Sequence, residues 1–120
     1  MSEKLSEHFD RAEFACHDGC GGETVSPRLI ELLEKARGFF GLPMHIVSGF
    51  RCPAHNAAVG GTEDSAHMKG EAADIRISGS YQRRRLGRAL DLAGFPRIGF
   101  YQTFVHGDVS TTLPEGWWVG

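Results

Sequence analysis

The sequence predicts an α+β fold, a small antiparallel sheet with helices packed on one face. Three observations predict it. Residues 26–41 carry a capped, one-faced helix, residues 72–77 alternate as a strand, and residues 98–109 read as two strands joined by a tight turn. At 120 residues the chain has the length of one domain with one core, and it shows no repeat, low-complexity tract or linker. Residues 1–120 are therefore expected to form a single domain, with residues 1–25 as an irregular N-terminal cap.

The cap segment is polar and glycine-rich around Gly19, Gly21 and Gly22, and Phe9 and Phe14 are its expected anchors in the core. Ser26-Pro27 is a strong helix start, with serine at the N-cap and proline at the first helical position. Leu29, Ile30, Leu32, Leu33, Ala36, Phe39 and Phe40 then make one broad apolar face, and Gly41 and Pro43 end the helix. Residues 44–50 are short, partly β-branched and bounded by Pro43 and Pro53, so they read as a strand. Residues 53–59 suit a turn or two of helix, and residues 61–70 a polar loop with His67 near its end. In residues 72–77, Ala73, Ile75 and Ile77 face one way and Ala72, Asp74 and Arg76 the other. Residues 80–92 form a second helix with Leu86, Ala89, Leu90 and Ala93 inward and Arg83, Arg84, Arg85 and Arg88 mostly outward, stopped by Gly94 and Pro96. Residues 98–101 and 104–109 are strands joined at Gln102-Thr103, the second placing His106 and Asp108 on one face.

Composition excludes several classes of function. The formal charge of −2, with 23% charged residues, offers no basic excess for nucleic acid. No apolar run approaches the roughly 20 residues of a membrane span, and the first residues lack the apolar stretch of a signal peptide. The expectation is a monomer synthesised in the cytoplasm, with any export by another route. Cys16, Cys20 and Cys52 are an odd set. They read as reduced thiols, as one disulfide to Cys52, or as a second, structural zinc site completed by His17 or His55.

Chemistry concentrates on His67, Asp74 and His106. Two imidazoles and a carboxylate suit zinc, and three protein ligands leave the fourth position that a catalytic ion keeps open. Gly70 lets the chain turn back between His67 and Asp74, and small Ala72 and Ala73 leave room beside an ion. No glycine-rich phosphate loop and no Ser-His-Asp arrangement competes with this trio.

The segment Ser65-x-His67-x-x-Gly70-x-Ala72-x-Asp74 resembles the motif of the zinc D-Ala-D-Ala peptidases, family M15, whose fold is shared with the hedgehog signalling domain. Ser48-Gly49-Phe50-Arg51 is similar to that family's Ser-Gly-Tyr-Arg segment, and Phe104-Val105-His106 to its last ligand strand. The resemblance spans roughly residues 26–110, in the family's order, and is nearest to the short single-domain branch of phage and prophage murein peptidases. It implies Zn2+ held by His67, Asp74 and His106, and hydrolysis of peptide bonds in bacterial peptidoglycan stem peptides, with release to the wall by phage lysis machinery. It implies Arg51 as the arginine that binds substrate or stabilises the developing oxyanion, the alternative being a surface salt bridge. Ser65 reads as a substrate hydrogen-bond partner, an orienter of the ligand loop, or a turn cap.

The general base departs from the family pattern. An acidic residue often stands three positions before the last histidine, and here that position is Thr103, which cannot take up a proton at neutral pH. Asp108 is the candidate that replaces it, either as the base or as a carboxylate that orients His106, the alternative being a purely structural aspartate. Glu71, Asp64 and Glu63 are weaker candidates. A non-hydrolytic zinc-binding module on the same scaffold, binding wall peptide or a protein partner, is the rival reading that Thr103 favours.

Overall fold

The packing of one helix pair on one sheet accounts for the architecture. Pro27–Phe40 forms α1, which Ser26 opens by accepting a hydrogen bond from the Leu29 amide. Gly79–Ala93 forms α3, with Leu86, Ala89, Leu90 and Ala93 buried. The two helices pack on each other, and α3 also packs on the sheet. A short helix, α2, covers Pro53–Ala58. The computed structural model describes residues 3–120.

The sheet has five strands, β1 (Ile46–Ser48), β2 (Ala72–Arg76), β3 (Arg97–Phe100), β4 (Phe104–Asp108) and β5 (Gly116–Val119), in the order β1-β2-β4-β3-β5. Neighbours are antiparallel except the edge pair β3–β5, which is parallel. The α+β expectation holds, and β5 is an addition to it. A parallel partner is joined by a long connection rather than a tight turn, so no local turn marks it in the sequence.

Strand alternation separates the two faces as expected. Ala73, Ile75, Ile98 and Val105 are fully buried in the core with Leu29, Leu33, Leu86 and Leu90. Each of the larger of these side chains contributes about 1.5–3 kcal/mol by leaving water. Phe9 and Phe14 are both 1% exposed and touch edge to face, so the N-terminal segment is anchored as predicted. That segment is more regular than expected, with a 3-10 helix at Arg11–Phe14 and a bridge from Lys4 to Asp10. One core assignment fails. Phe39 is 55% exposed, because it stands with Leu92 at the rim of a shallow hollow between α1 and α3 instead of beneath them.

Candidate metal centre and active site

The face of the sheet away from α1 and α3 carries the site. Asp74 on β2 pairs directly with His106 on β4, and His106 with Gly99 on β3. One step along, Ala72 pairs with Asp108 and Asp108 with Arg97. His67 joins them from a 3-10 helix, Ala66–Lys69, where a plain loop was expected.

Local chemistry fixes that helix. Ser65 Oγ accepts from the His67 amide at 3.2 Å and caps its start. Gly70 ends it at φ 69°, the left-handed region, where the Gly70 amide bonds back to the turn. A Cβ on Gly70 would also lie 2.4 Å from the Thr24 carbonyl oxygen, so glycine is required on two counts. The Gly70 carbonyl in turn accepts from the Ser26 amide at 2.8 Å, tying the turn that carries His67 to the start of α1.

Hydrogen bonds select which nitrogen each histidine offers. His67 Nδ1 is 2.7 Å from the Gly49 carbonyl oxygen, which can only accept, so Nδ1 carries the proton and Nε2 keeps its lone pair. His67 Nε2 is buried without a hydrogen-bond partner, although it lies 3.3 Å from Asp74 Oδ1. His106 Nε2 is 2.7 Å from Asp108 Oδ2, and its Nδ1 is 2.9 Å from Asp74 Oδ1. With Nε2–H donated to Asp108, the Nδ1 lone pair is left for the side of Asp74 and His67.

The electrostatics follow from that crowding. Burial pushes the Asp74 carboxyl up, but the His106 and His67 imidazoles packed against it outweigh burial and hold the group well below the ordinary carboxylate range. Burial pushes the His106 imidazole down, yet Asp108 and Asp74 win and its pKa rises. Asp108 is likewise held low, against its burial, by His106, the Ser110 amide and Arg97.

These residues fit a zinc-type ion. The donor set is two nitrogens and a carboxylate oxygen, and the atoms all lie within 4.8 Å of one another. Ligands at about 2.0–2.1 Å from one centre, at tetrahedral angles, stand about 3.3 Å apart. The observed 3.3 Å and 2.9 Å to Asp74 Oδ1 sit near that spacing. The partnerless Nε2 of His67 is the independent mark, since a buried acceptor without a partner is otherwise costly.

The trio opens into a trough of about 480 Å³ lined also by Arg51, Ser65, Arg97, Tyr101, Asp108 and Trp118. Arg51 reaches it from the β1–α2 junction. Its Nη2 is 3.3 Å from Asp74 Oδ2, and Nε and Nη1 donate to Ser48 Oγ and Asn56 Oδ1. Asp108 is fully buried, with Oδ2 accepting from Arg97 Nε at 3.0 Å and Oδ1 from the Ser110 amide at 3.1 Å. Thr103 is exposed at the β3–β4 turn and does not line the trough. Glu63 and Asp64 are exposed, while Glu71 Oε1 is buried without a partner and away from the trough.

Asn56 and Arg97 were not anticipated on this face, and Trp118, readable from sequence either as a sugar-stacking ring or as a pin for the tail, joins them. Asn56 is 3% exposed and braces Arg51 while its Nδ2 donates to the Thr62 carbonyl at 2.8 Å. Arg97 pairs with Asp108 and lies 4.7 Å above the Trp118 ring. Trp118 lies over Gly99, 5.3 Å from the His106 ring, and donates to Tyr101 Oη at 2.8 Å. The bulky, β-favouring run Trp117-Trp118-Val119 was the available signal for the last of these. Trp117 takes the other face, against Phe100 at 5.8 Å.

The family model described as Peptidase M15 matches residues 7–108. That span contains the trio, Arg51, Asp108 and the three cysteines. No curated protein matches the chain.

Proposed function

Because this chain belongs to the peptidase M15 family, we propose that it is a zinc metallopeptidase that hydrolyses peptide bonds in bacterial peptidoglycan stem peptides. Its action would be that of a D-Ala-D-Ala carboxypeptidase or a murein endopeptidase, reaching the wall at phage-driven lysis. The observation that carries the reading is the convergence of His67 Nε2, Asp74 Oδ1 and His106 Nδ1, each with its remaining polar atoms already engaged.

His67, Asp74 and His106 would hold the ion. When bound there, zinc supplies Lewis acidity toward a carbonyl and lowers the pKa of a water toward 7. Asp108 keeps the His106 proton on Nε2, and Arg97 and the Ser110 amide keep Asp108 in place. Of the two roles open to Asp108, this supports orientation of His106, since a base with both oxygens engaged and a lowered pKa is poorly placed to take up a proton. Arg51 carries a permanent charge into the trough beside Asp74, where a substrate carbonyl oxygen or terminal carboxylate would meet it. Trp118 and Tyr101 form an apolar wall for small alanine side chains.

The test is direct. Zinc-loaded protein incubated with purified murein or synthetic stem peptides should release D-alanine or open cross-links, and His67→Ala should abolish this. Stoichiometric zinc without turnover at any pH would refute the hydrolytic reading. It would leave the non-hydrolytic module, which the exposed Thr103 favours, with stem-peptide binding as its own readout.

A further inference from the structure

A second cluster of ligand atoms lies away from the trough. Cys16, Asp18, Cys20 and Cys52 each offer one atom, all within 4.8 Å of one another. Cys16 Sγ and Cys52 Sγ are 3.8 Å apart. Asp18 stands between them, with Oδ1 3.1 Å from Cys16 Sγ and Oδ2 2.7 Å from Cys52 Sγ. Two thiolates at about 2.3 Å from one zinc, at the tetrahedral angle, are separated by about 3.8 Å, whereas a disulfide needs about 2.05 Å. All three cysteines are free thiols here.

From this geometry we propose that Cys16, Asp18, Cys20 and Cys52 form a closed, tetrahedral structural zinc site. The donor set is complete, with three sulfurs and one carboxylate oxygen and no position left for substrate. The surroundings suit sulfurs that carry charge. The Cys52 amide is directed at Cys16 Sγ and the Gly22 amide at Cys20 Sγ, both at 3.4 Å, so two of the three sulfurs already accept from the backbone. Binding would replace thiol protons with the ion, at a carboxylate that the thiols already crowd. Asp18, and not His17 or His55, supplies the fourth ligand. Those two rings lie 6.2 Å apart, tilted to one another, and neither is among the clustered ligand atoms.

The site would join segments that the site on the sheet depends on. Cys16 and Cys20 belong to the N-terminal segment, and Cys52 is the N-cap of α2, next to Arg51. The same junction is closed by the Phe50 amide bonding to the Phe14 carbonyl at 2.8 Å, and Gly49 lies directly against the Phe14 backbone. Gly49 is the residue whose carbonyl holds His67 Nδ1. An ion at the cysteines therefore clamps the backbone that aims both His67 and Arg51.

This proposal does not depend on the peptidase reading, and its test avoids activity. The double variant His67→Ala/His106→Ala, purified under reducing conditions, loaded with zinc and desalted, should retain an equivalent of zinc per chain by elemental analysis, and the wild type a further one. Cobalt loaded into that double variant should give a thiolate-to-metal charge-transfer band, which Cys20→Ser and Asp18→Ala weaken or abolish. Stripping the ion with a chelator should lower the double variant's thermal midpoint. A folded double variant, confirmed by circular dichroism, that holds no metal overturns the proposal. So does cobalt binding without the thiolate band, or a Cys16–Cys52 disulfide in the folded protein as isolated. The deciding outcomes are read on the wild type and the histidine variant, so a cysteine variant that fails to fold leaves the test intact.

Discussion

Asp108→Asn separates the two roles that a carboxylate beside His106 can play. The wild-type side chain accepts from three donors, His106 Nε2, Arg97 Nε and the Ser110 amide, at 2.7, 3.0 and 3.1 Å. Asparagine keeps one carbonyl oxygen but turns an NH2 toward a donor, so one partner loses its acceptor. If Asp108 orients His106, Nε2–H is no longer held and the Nδ1 lone pair is no longer presented to the ion. Changes of this kind cost about 10–100-fold in metal affinity, or about 1.4–2.7 kcal/mol. The Arg97–Asp108 pair is nearly buried, at 16% and 1% side-chain exposure. Losing one partner of such a pair costs about 3–5 kcal/mol of stability, and the retained acceptor should bring the loss to the lower end. Zinc affinity by competition with a chromogenic chelator, and kcat measured at saturating zinc, read the two effects separately. Orientation predicts a weaker Kd and a kcat that largely recovers once zinc saturates the site. An unchanged Kd with a collapsed kcat would refute it and make Asp108 the base.

Other residues give sharper structural tests. Gly70→Ala should cost at least about 1–2 kcal/mol from its positive φ alone, and more from the Thr24 carbonyl. An unchanged urea midpoint would show that the turn that carries His67 is not clamped to α1 as described. Glu34 lies against Ser6, His8 and the His8 amide, and although burial raises its pKa, hydrogen bonds from Ser6 and His8 bring it below the ordinary value. A depressed pKa means stability present above the unfolded value of about 4.3 and lost as pH falls below it. Glu34→Gln should flatten that acid limb in pH-dependent unfolding, and an identical limb in the variant would exclude the contact as its source. Arg51→Lys keeps the charge but cannot span Ser48, Asn56 and Asp74 together. It should lower kcat/KM by about 10²–10³-fold with zinc content intact, and wild-type kinetics would remove Arg51 from substrate handling.

How much of this was legible in the sequence depends on whether a feature is local. The α1 cap at Ser26-Pro27, the alternation around Asp74 and the facing of His106 and Asp108 each follow from a few neighbouring residues, and each appears in the fold. The 3-10 helix under His67 was read as loop because it is one short turn with polar neighbours. β5 escaped because it pairs in parallel with β3 at the sheet edge. Phe39 shared the apolar pattern of α1, yet what covers a helix face is decided by a neighbour far along the chain. The fourth member of the cysteine cluster was hidden for the same reason. Asp18 is exposed and looks like any loop aspartate until Cys52 is brought beside it.

The geometry of the trough is a consequence of strand register, and register is set on the other side of the sheet. Ser48, Asp74, His106, Gly99 and Trp118 are successive partners in one row across all five strands. A slip of one residue between β2 and β4 would turn Asp74 away from His106. The same slip would move the slipping strand's core residue, Ile75 or Val105, both fully buried, out toward solvent, at about 1.5–3 kcal/mol. Gly107 adds a steric lock, because a Cβ there would already lie 3.1 Å from Phe95. The apolar face therefore holds the Asp74–His106 row in place, and His67 arrives from outside the sheet. That division explains why the shared face of Asp74 and His106 could be read from alternation. Thr103 lies in the β3–β4 turn, beyond the row, where no alternation rule aims a side chain at the trough.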